Sequence, residues 1–472
     1  MYNPKSSIAT EFISDAQIRN TISYAQNNKN NTILIDKILT KARLMKGLTY
    51  QEAAVLLGCE DRNKIKEIYT LANDIKQEYY GNRIVLFAPL YLSNYCVNGC
   101  VYCPYHISNK KIPRLKMSQE QIKDEVIALQ NMGHKRVAIE AGEDSINNPI
   151  EYILESLKTI YSIKHKNGAI RRVNVNIAAT TVENYKKLKD AQIGTYILFQ
   201  ETYDKVRYEK LHPTGPKHNY NYHTEAMDRA MEAGIDDVGL GVLFGLSTYM
   251  YEFIGLLMHA EHLESKFGVG PHTISVPRIN NADDINSEDF ENGISDEIFE
   301  KIIACIRIAV PYTGMIISTR ESEKVRRNAL SLGVSQISGG SKTTVGGYHN
   351  PTEDNESSAQ FDISDKRTLD DILKWLLELG YIPSFCTSCY SKGRTGDRFM
   401  EICKDKQIHN YCHPNAIMTL KEYLEDYASS QTKEIGDKAI NSELEKITDF
   451  KIKEVTKSNI KKIISGDRDF SF

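Results

Sequence analysis

Ile84-Val-Leu-Phe-Ala-Pro-Leu-Tyr-Leu92, then Ser-Asn-Tyr, then Cys96-Val-Asn-Gly-Cys100-Val-Tyr-Cys103: an apolar run of strand length opens into a loop that carries three thiols. Its length and its β-branched and aromatic content mark a buried strand. Seven more short runs of the same kind follow, at 136–140, 173–178, 195–199, 237–244, 273–276, 315–318 and 334–337. Helical stretches separate them, among them 118–132, which opens with a Ser118…Gln121 capping box, and 150–165. Strands alternating with helices give a parallel sheet, and eight repeats in about 260 residues match a closed (βα)8 TIM barrel of the α/β class. An open doubly wound sheet shares this alternation and remains the alternative. In a barrel the cysteine loop would lie at the C-terminal ends of the strands, the face where such barrels carry their chemistry.

Outward from the barrel, the 472 residues divide into an N-terminal helical layer at 1–82, the barrel at 83–347, and a mostly helical C-terminal domain at 348–472. Capping-box spacings at Ser14…Gln17 and Thr49…Glu52 mark helix starts in the first part, and 61–80 reads as a charged amphipathic helix. Whether this part is a separate module or a wrapping layer is open from sequence. A polar stretch at 350–356 reads as a connecting loop, 369–379 as a helix, and the tail from Ser429 as a surface helix with a loose end.

A formal charge of −3, from 59 basic and 62 acidic side chains, supplies no field to recruit nucleic acid or an anionic membrane. No apolar run approaches the roughly 20 residues of a membrane span, and the N-terminus lacks the apolar core of a signal peptide. The expectation is a cytoplasmic protein with no nucleic-acid or membrane partner. Nine cysteines at clustered spacings then point to reduced thiols and metal binding before disulfides.

Six of these cysteines form two trios: Cys96, Cys100 and Cys103, and Cys386, Cys389 and Cys412. An iron-sulfur cube normally takes four thiolates, so three leave one iron open for chemistry. Zinc is the competing reading, with His106 completing the first trio, and Cys403, His409 or His413 completing the second. Cys59 and Cys305 lack any such spacing and read as small core residues.

The spacing of the first trio, with an aromatic before its last cysteine, resembles the signature of the radical S-adenosylmethionine (SAM) enzymes. That resemblance implies a 4Fe-4S cluster whose open iron chelates SAM. Glu140-Ala-Gly-Glu143 resembles the family's Gly-Gly-Glu motif with Ala in place of one Gly, and Glu143 would accept a bond from the methionyl amine. Tyr102 stands where the family contacts adenine, and Asn176 and Glu201 fall at the ends of the third and fourth strands, Glu201 toward the ribose. Arg229 resembles an arginine that meets the cofactor carboxylate.

Over nearly its whole length the sequence also resembles the tyrosine lyases that mature FeFe-hydrogenase. The segments are 88–96, 174–178, 195–203, Leu211-His-Pro213, 271–278, and Cys386-Thr-Ser-Cys389 with Cys412. The resemblance implies cleavage of the Cα–Cβ bond of L-tyrosine to p-cresol and dehydroglycine, and conversion of that fragment to CO and cyanide. It further implies an auxiliary 4Fe-4S cluster carrying a labile iron, bridged by free cysteine and held by His272. An electron donor such as a ferredoxin or flavodoxin and a downstream maturation scaffold are the implied protein partners. For the tyrosine carboxylate, Arg320 with Ser318 is the first candidate, because guanidinium grips carboxylate in a bidentate way; an ion pair of Arg320 with Glu321 or Glu323 is the alternative. Arg278 is the second candidate. Ser338-Gly-Gly-Ser341 fits either a backbone-amide cradle or a plain turn. The related lyase of thiamine thiazole biosynthesis, 2-iminoacetate synthase, and a metal-binding scaffold with structural zinc are the rival functions.

Overall fold

The computed structural model describes residues 2–391 and 408–472. All eight sequence runs form strands: β1 (Arg83–Ser93), β2 (Arg136–Ala141), β3 (Arg172–Asn176), β4 (Tyr196–Glu201), β5 (Val238–Val242), β6 (Thr273–Ser275), β7 (Gly314–Ile317) and β8 (Gln336–Ser338). Neighbouring strands pair in parallel in this order, and β8 returns to β1 through Val85–Gln336, Leu86–Ile337 and Phe87–Ser338. The sheet is therefore a closed barrel, and the open doubly wound alternative falls away.

The local chemistry expected at helix starts is largely realised. Thr49 and Ser118 form reciprocal capping boxes with Glu52 and Gln121. At Ser14 only half the box forms, because the Gln17 side chain turns to Tyr50 instead. The helix expected over 150–165 stops earlier, at Ile150–Ser162, and Lys164–His165 pairs antiparallel with Gly168–Ala169. Gln130 clamps this turn, donating to Ile163 O and accepting from His165 N. A Cβ on Gly168 would stand 2.9 Å from the Gln130 Cβ, so the turn demands glycine.

The N-terminal helices pack against outer helices of the barrel. Helix Arg62–Tyr80, capped by Asp61, packs on the barrel's outer helix Asp296–Ala309. Tyr80 donates to Tyr312 O, and Leu48 N donates to Ala309 O. Cys59 and Cys305 are fully buried in this seam, and burial pushes the Cys305 thiol up to about 12.

The C-terminal part reaches back under the barrel with an element the sequence reading missed. Strand β9 (Ile382–Ser384) pairs in parallel with the first residues of β1, Arg83–Val85. It is an edge strand, which is where Pro383, lacking a donor, can be accommodated. Helix Leu369–Glu378 forms as expected, and three longer helices follow at Ile408–Asp426, Ser430–Glu445 and Phe450–Ile464. The chain end is not loose: Arg468 bonds to Asp426, and the amides of Asp469 and Phe472 donate to Glu422 and Asn415. Lys135, at the foot of β2, forms a buried ion pair with Glu422 and latches this domain to the barrel. Among the described residues no helix is long and apolar enough to cross a membrane.

The length of β1 sets the spacing of the two trios. Cys96 follows its upper end, whereas Cys386 follows β9, whose Ser384 is level with Val85. Eight residues of β1 separate these levels, about 26 Å of rise. The trios therefore sit at opposite mouths of the barrel.

Candidate functional site at the upper mouth

The loop after β1 is stitched to the loops after β2 and β4. Val97 N donates to Glu143 O at 2.8 Å, Gly99 N to Thr214 O at 3.0 Å, and Val101 N to Leu211 O at 3.0 Å. Asn98 is the central staple: its Nδ2 donates to Glu143 Oε2 at 2.7 Å, and its Oδ1 accepts from Lys217 N at 3.0 Å. Two glycines permit this closeness. A Cβ on Gly142 would stand 2.4 Å from Tyr95 O and 2.9 Å from Cys96 Cβ, and one on Gly99 would stand 2.4 Å from Thr214 Oγ1. In the Glu140-Ala-Gly-Glu143 motif it is the retained glycine that the geometry requires.

Cys96, Cys100 and Cys103 line a cavity at this mouth together with Tyr102, Glu143, Asn176 and Glu201. Four of the five residues expected at a cofactor are thus on one wall. The fifth, Arg229, is elsewhere: it donates to Thr180 O and Tyr222 O, and its guanidinium stacks on the Tyr222 ring at 3.9 Å. Its position after the fourth strand, on helix Ala226–Glu232, turns it to the barrel's outside.

Sequence reasoning missed Lys217 and His212 as site residues, both supplied by the segment that opens with Leu211-His-Pro213. Lys217 Nζ pairs with Glu201 at 2.9 Å; burial works against its charge, but Glu201 holds it protonated. His212 bonds Tyr102 Oη at 2.7 Å, and burial then the Lys217 charge hold the imidazole neutral, at about 3. The Leu-His-Pro run was the available signal. Burial pushes the Cys103 thiol up to about 12 and raises that of Cys100, so both stay protonated until a metal displaces the proton.

The donor set suits a cluster. Tyr102, Leu243 and Leu246 pack an apolar shell around Cys100, the kind of dry seat that tunes an iron-sulfur centre. Among the described residues no three His, Cys, Asp or Glu side chains converge as a chelate for one metal ion. His106 is no fourth ligand here: its Nδ1 bonds Ser108 and its Nε2 faces Asp284 at 3.5 Å.

Below this cavity lies a second, inside the barrel, and Tyr91, Glu140, Asn176, Arg320 and Phe361 border both. Arg320 pairs with neither Glu321 nor Glu323. Its guanidinium donates to Arg278 O at 3.2 Å and stacks over Phe361 at 3.9 Å, and its buried Nε has no partner among the described residues. Ser318 lines the inner cavity and accepts from Arg320 N. Arg278, the second candidate, is instead a structural ion pair: it grips Glu321 and reaches Asp296 at 2.9 Å, and it lines neither cavity. Ser338-Gly-Gly-Ser341 is a closing turn. Gly339 N donates to Phe87 O, and a Cβ on Gly340 (φ 58°) would meet Met132 and Leu369.

At the lower mouth, burial and then the nearby Cys412 thiol raise the proton affinity of Cys386. Cys386 Sγ also faces Ser388 Oγ at 3.3 Å. His272 precedes β6 at this same mouth, with Nδ1 3.5 Å from Asp237 Oδ1. His413 faces Glu443 at 3.4 Å. Cys403 and the side chain of His409 lie outside the described residues.

Comparison with known proteins agrees with this layout. The Radical SAM superfamily profile matches residues 90–254, and the Biotin and Thiamin Synthesis associated domain matches 275–382. The 2-iminoacetate synthase of Salmonella typhimurium is 27% identical over 339 residues, 71% of this chain and 86% of that protein. The crystal structure of HydG, a maturase of the FeFe-hydrogenase, superposes with a TM-score of 0.95 at 56% identity, covering 98% of this chain and 100% of that one. HydG from Carboxydothermus hydrogenoformans superposes with a TM-score of 0.83 at 37% identity, covering 96% and 99%. Superfamily membership implies a 4Fe-4S cluster and SAM. With that likeness running end to end, through the barrel and the C-terminal cysteine segment alike, the chain belongs to the HydG family of FeFe-hydrogenase maturases.

Proposed function

We propose that this chain is a radical SAM carbon–carbon lyase that cleaves L-tyrosine to p-cresol and dehydroglycine and converts the fragment to CO and cyanide. The product is an Fe(CO)2CN unit for the hydrogenase H-cluster. Cys96, Cys100 and Cys103 hold the SAM-binding cluster at the upper mouth, and Tyr102, Glu143, Asn176 and Glu201 surround SAM. When bound, that cofactor pair supplies hydrogen-atom abstraction from the tyrosine amino group. Arg320 and Ser318 take the tyrosine carboxylate in the inner cavity, since an unpartnered buried guanidinium nitrogen beside a void fits an incoming carboxylate.

Cys386, Cys389 and Cys412 hold the auxiliary cluster at the lower mouth, with His272 and a free cysteine on its labile iron. Imidazole is a suitable ligand for ferrous iron. The division into 1–82, 83–347 and 348–472 follows these jobs: outer layer, radical chemistry, and product assembly. A ferredoxin or flavodoxin supplies the electron, a scaffold protein accepts the product, and the reaction runs in the cytoplasm.

One observation carries this reading: a second cysteine trio at the mouth opposite the first, with the barrel interior between them. Reduced enzyme is incubated with tyrosine, SAM and deoxyhaemoglobin. Formation of p-cresol together with a carbonyl-haem spectrum is expected. p-Cresol without it would defeat the maturase reading in favour of a 2-iminoacetate synthase.

A further inference from the structure

Tyr91, Glu140 and Asn176 stand in register on β1, β2 and β3, so the three side chains form one polar layer across the barrel. This layer separates the cofactor cavity from the inner cavity, and Arg320, from the segment after β7, closes it on the far side. Tyr91 is tied to Gln360 and Asn176 to Glu140. Glu140 is half-buried where the two cavities meet and, among the described residues, pairs with no cation: the titratable groups that face it are Glu201 from β4, itself paired to Lys217, and the phenols of Tyr91 and Tyr105, with Arg320 across the layer. A carboxyl placed there without a cation is costly unless its ligand brings one. The motif reading used Glu143 and left Glu140 without a role.

We propose that Glu140 is the base that takes a proton from the ammonium group of bound tyrosine, while Arg320 holds the carboxylate. The proposal rests on the tyrosine-lyase reading. An amino acid's two charged ends need two opposite charges, and these are the two that border both cavities. The N–H bond of the ammonium breaks heterolytically, the proton passes to a Glu140 oxygen, and the electron pair stays on nitrogen. The resulting neutral amine is the form from which a hydrogen atom leaves without creating a radical cation. Burial, opposed in part by the Asn176 bond, pushes the Glu140 carboxyl up to about 8. That brings the carboxyl several units nearer to an ammonium than an ordinary carboxylate is, so the uphill transfer is correspondingly smaller.

The test compares wild-type holoenzyme with Glu140→Gln and Glu140→Asp. Dissociation constants are measured for tyrosine and for 3-(4-hydroxyphenyl)propanoate, which lacks the amine, and p-cresol formation is followed against pH. Wild type should favour tyrosine at least about tenfold, and Glu140→Gln should lose that preference. Its p-cresol turnover should fall by about 10²–10⁴, and the wild-type rise in turnover through about pH 8 should vanish. Glu140→Asp, which keeps the charge, should recover part of the preference, which a packing defect would not. Wild-type preference and pH profile in Glu140→Gln would overturn the role of Glu140 alone. Absence of p-cresol from wild type would overturn the substrate reading, and this role with it.

Discussion

Replacing Gly142 by alanine should dislocate the SAM-cluster loop. The new Cβ would lie 2.4 Å from Tyr95 O and 2.9 Å from Cys96 Cβ. Restoring an ordinary contact near 3.4 Å asks for about 1 Å of movement, and overpacking of this kind costs about 1–3 kcal/mol. The obstacles are backbone and a Cβ, which cannot rotate away. The loop is also held from the other side, where Val97 N bonds Glu143 O and Gly99 N bonds Thr214 O. The shift therefore falls on Cys96, and a misplacement of about 1 Å at a reacting centre costs on the order of 10²-fold in rate. Iron content after anaerobic reconstitution, the EPR spectrum of the reduced protein with and without SAM, and 5′-deoxyadenosine formation are the assays. Gly142→Ala should lose SAM response and about two orders of magnitude in 5′-deoxyadenosine. Wild-type values for all three would refute the packing argument. Ala141→Gly, one residue earlier, should change none of them.

Cys386→Ala or Cys389→Ala should abolish CO while leaving p-cresol, because the proposed reading assigns fission to the upper mouth; equal loss of both products would contradict that division of labour. Arg320→Ala should weaken tyrosine binding about 10–100-fold, the worth of a charge-assisted pair. Arg278→Ala should instead lower thermal stability, since it strands Glu321; equilibrium dialysis and calorimetry separate the two. Burial disfavours the Asp228 carboxylate, but hydrogen bonds from His262 and Lys266 hold it below its ordinary 3.8. Its stabilisation is thus complete above that value and lost as pH falls through the folded one. Asp228→Asn should cost about 1.5–3 kcal/mol at pH 7, and denaturation curves of the two proteins should converge below pH 4.

Strand order, the first trio and its cavity neighbours were legible because they rest on local signals. A strand is announced by its own composition, and in a (βα)8 barrel its C-terminal end falls on the active face whatever the side chains are. Thus Cys96, Glu143, Asn176 and Glu201 could be assigned to one site from their positions after successive strands. Arg229 failed because it belongs to the outer helical layer, where strand-end logic does not apply. β9 escaped notice because three residues with a central proline carry almost no periodicity; only an open edge at the foot of β1 makes them a strand.

The sequence by itself therefore determined the barrel and the loop of the first trio, because each is written in neighbouring residues. Tertiary structure decided which arginine faces the cavity, since Arg278 and Arg320 look alike until Glu321 is seen to take the first. It also decided that Glu140 and Arg320, 180 residues apart, border the same space. Side-chain partnership across a closed barrel depends on register and closure, and those are set by all eight strands together.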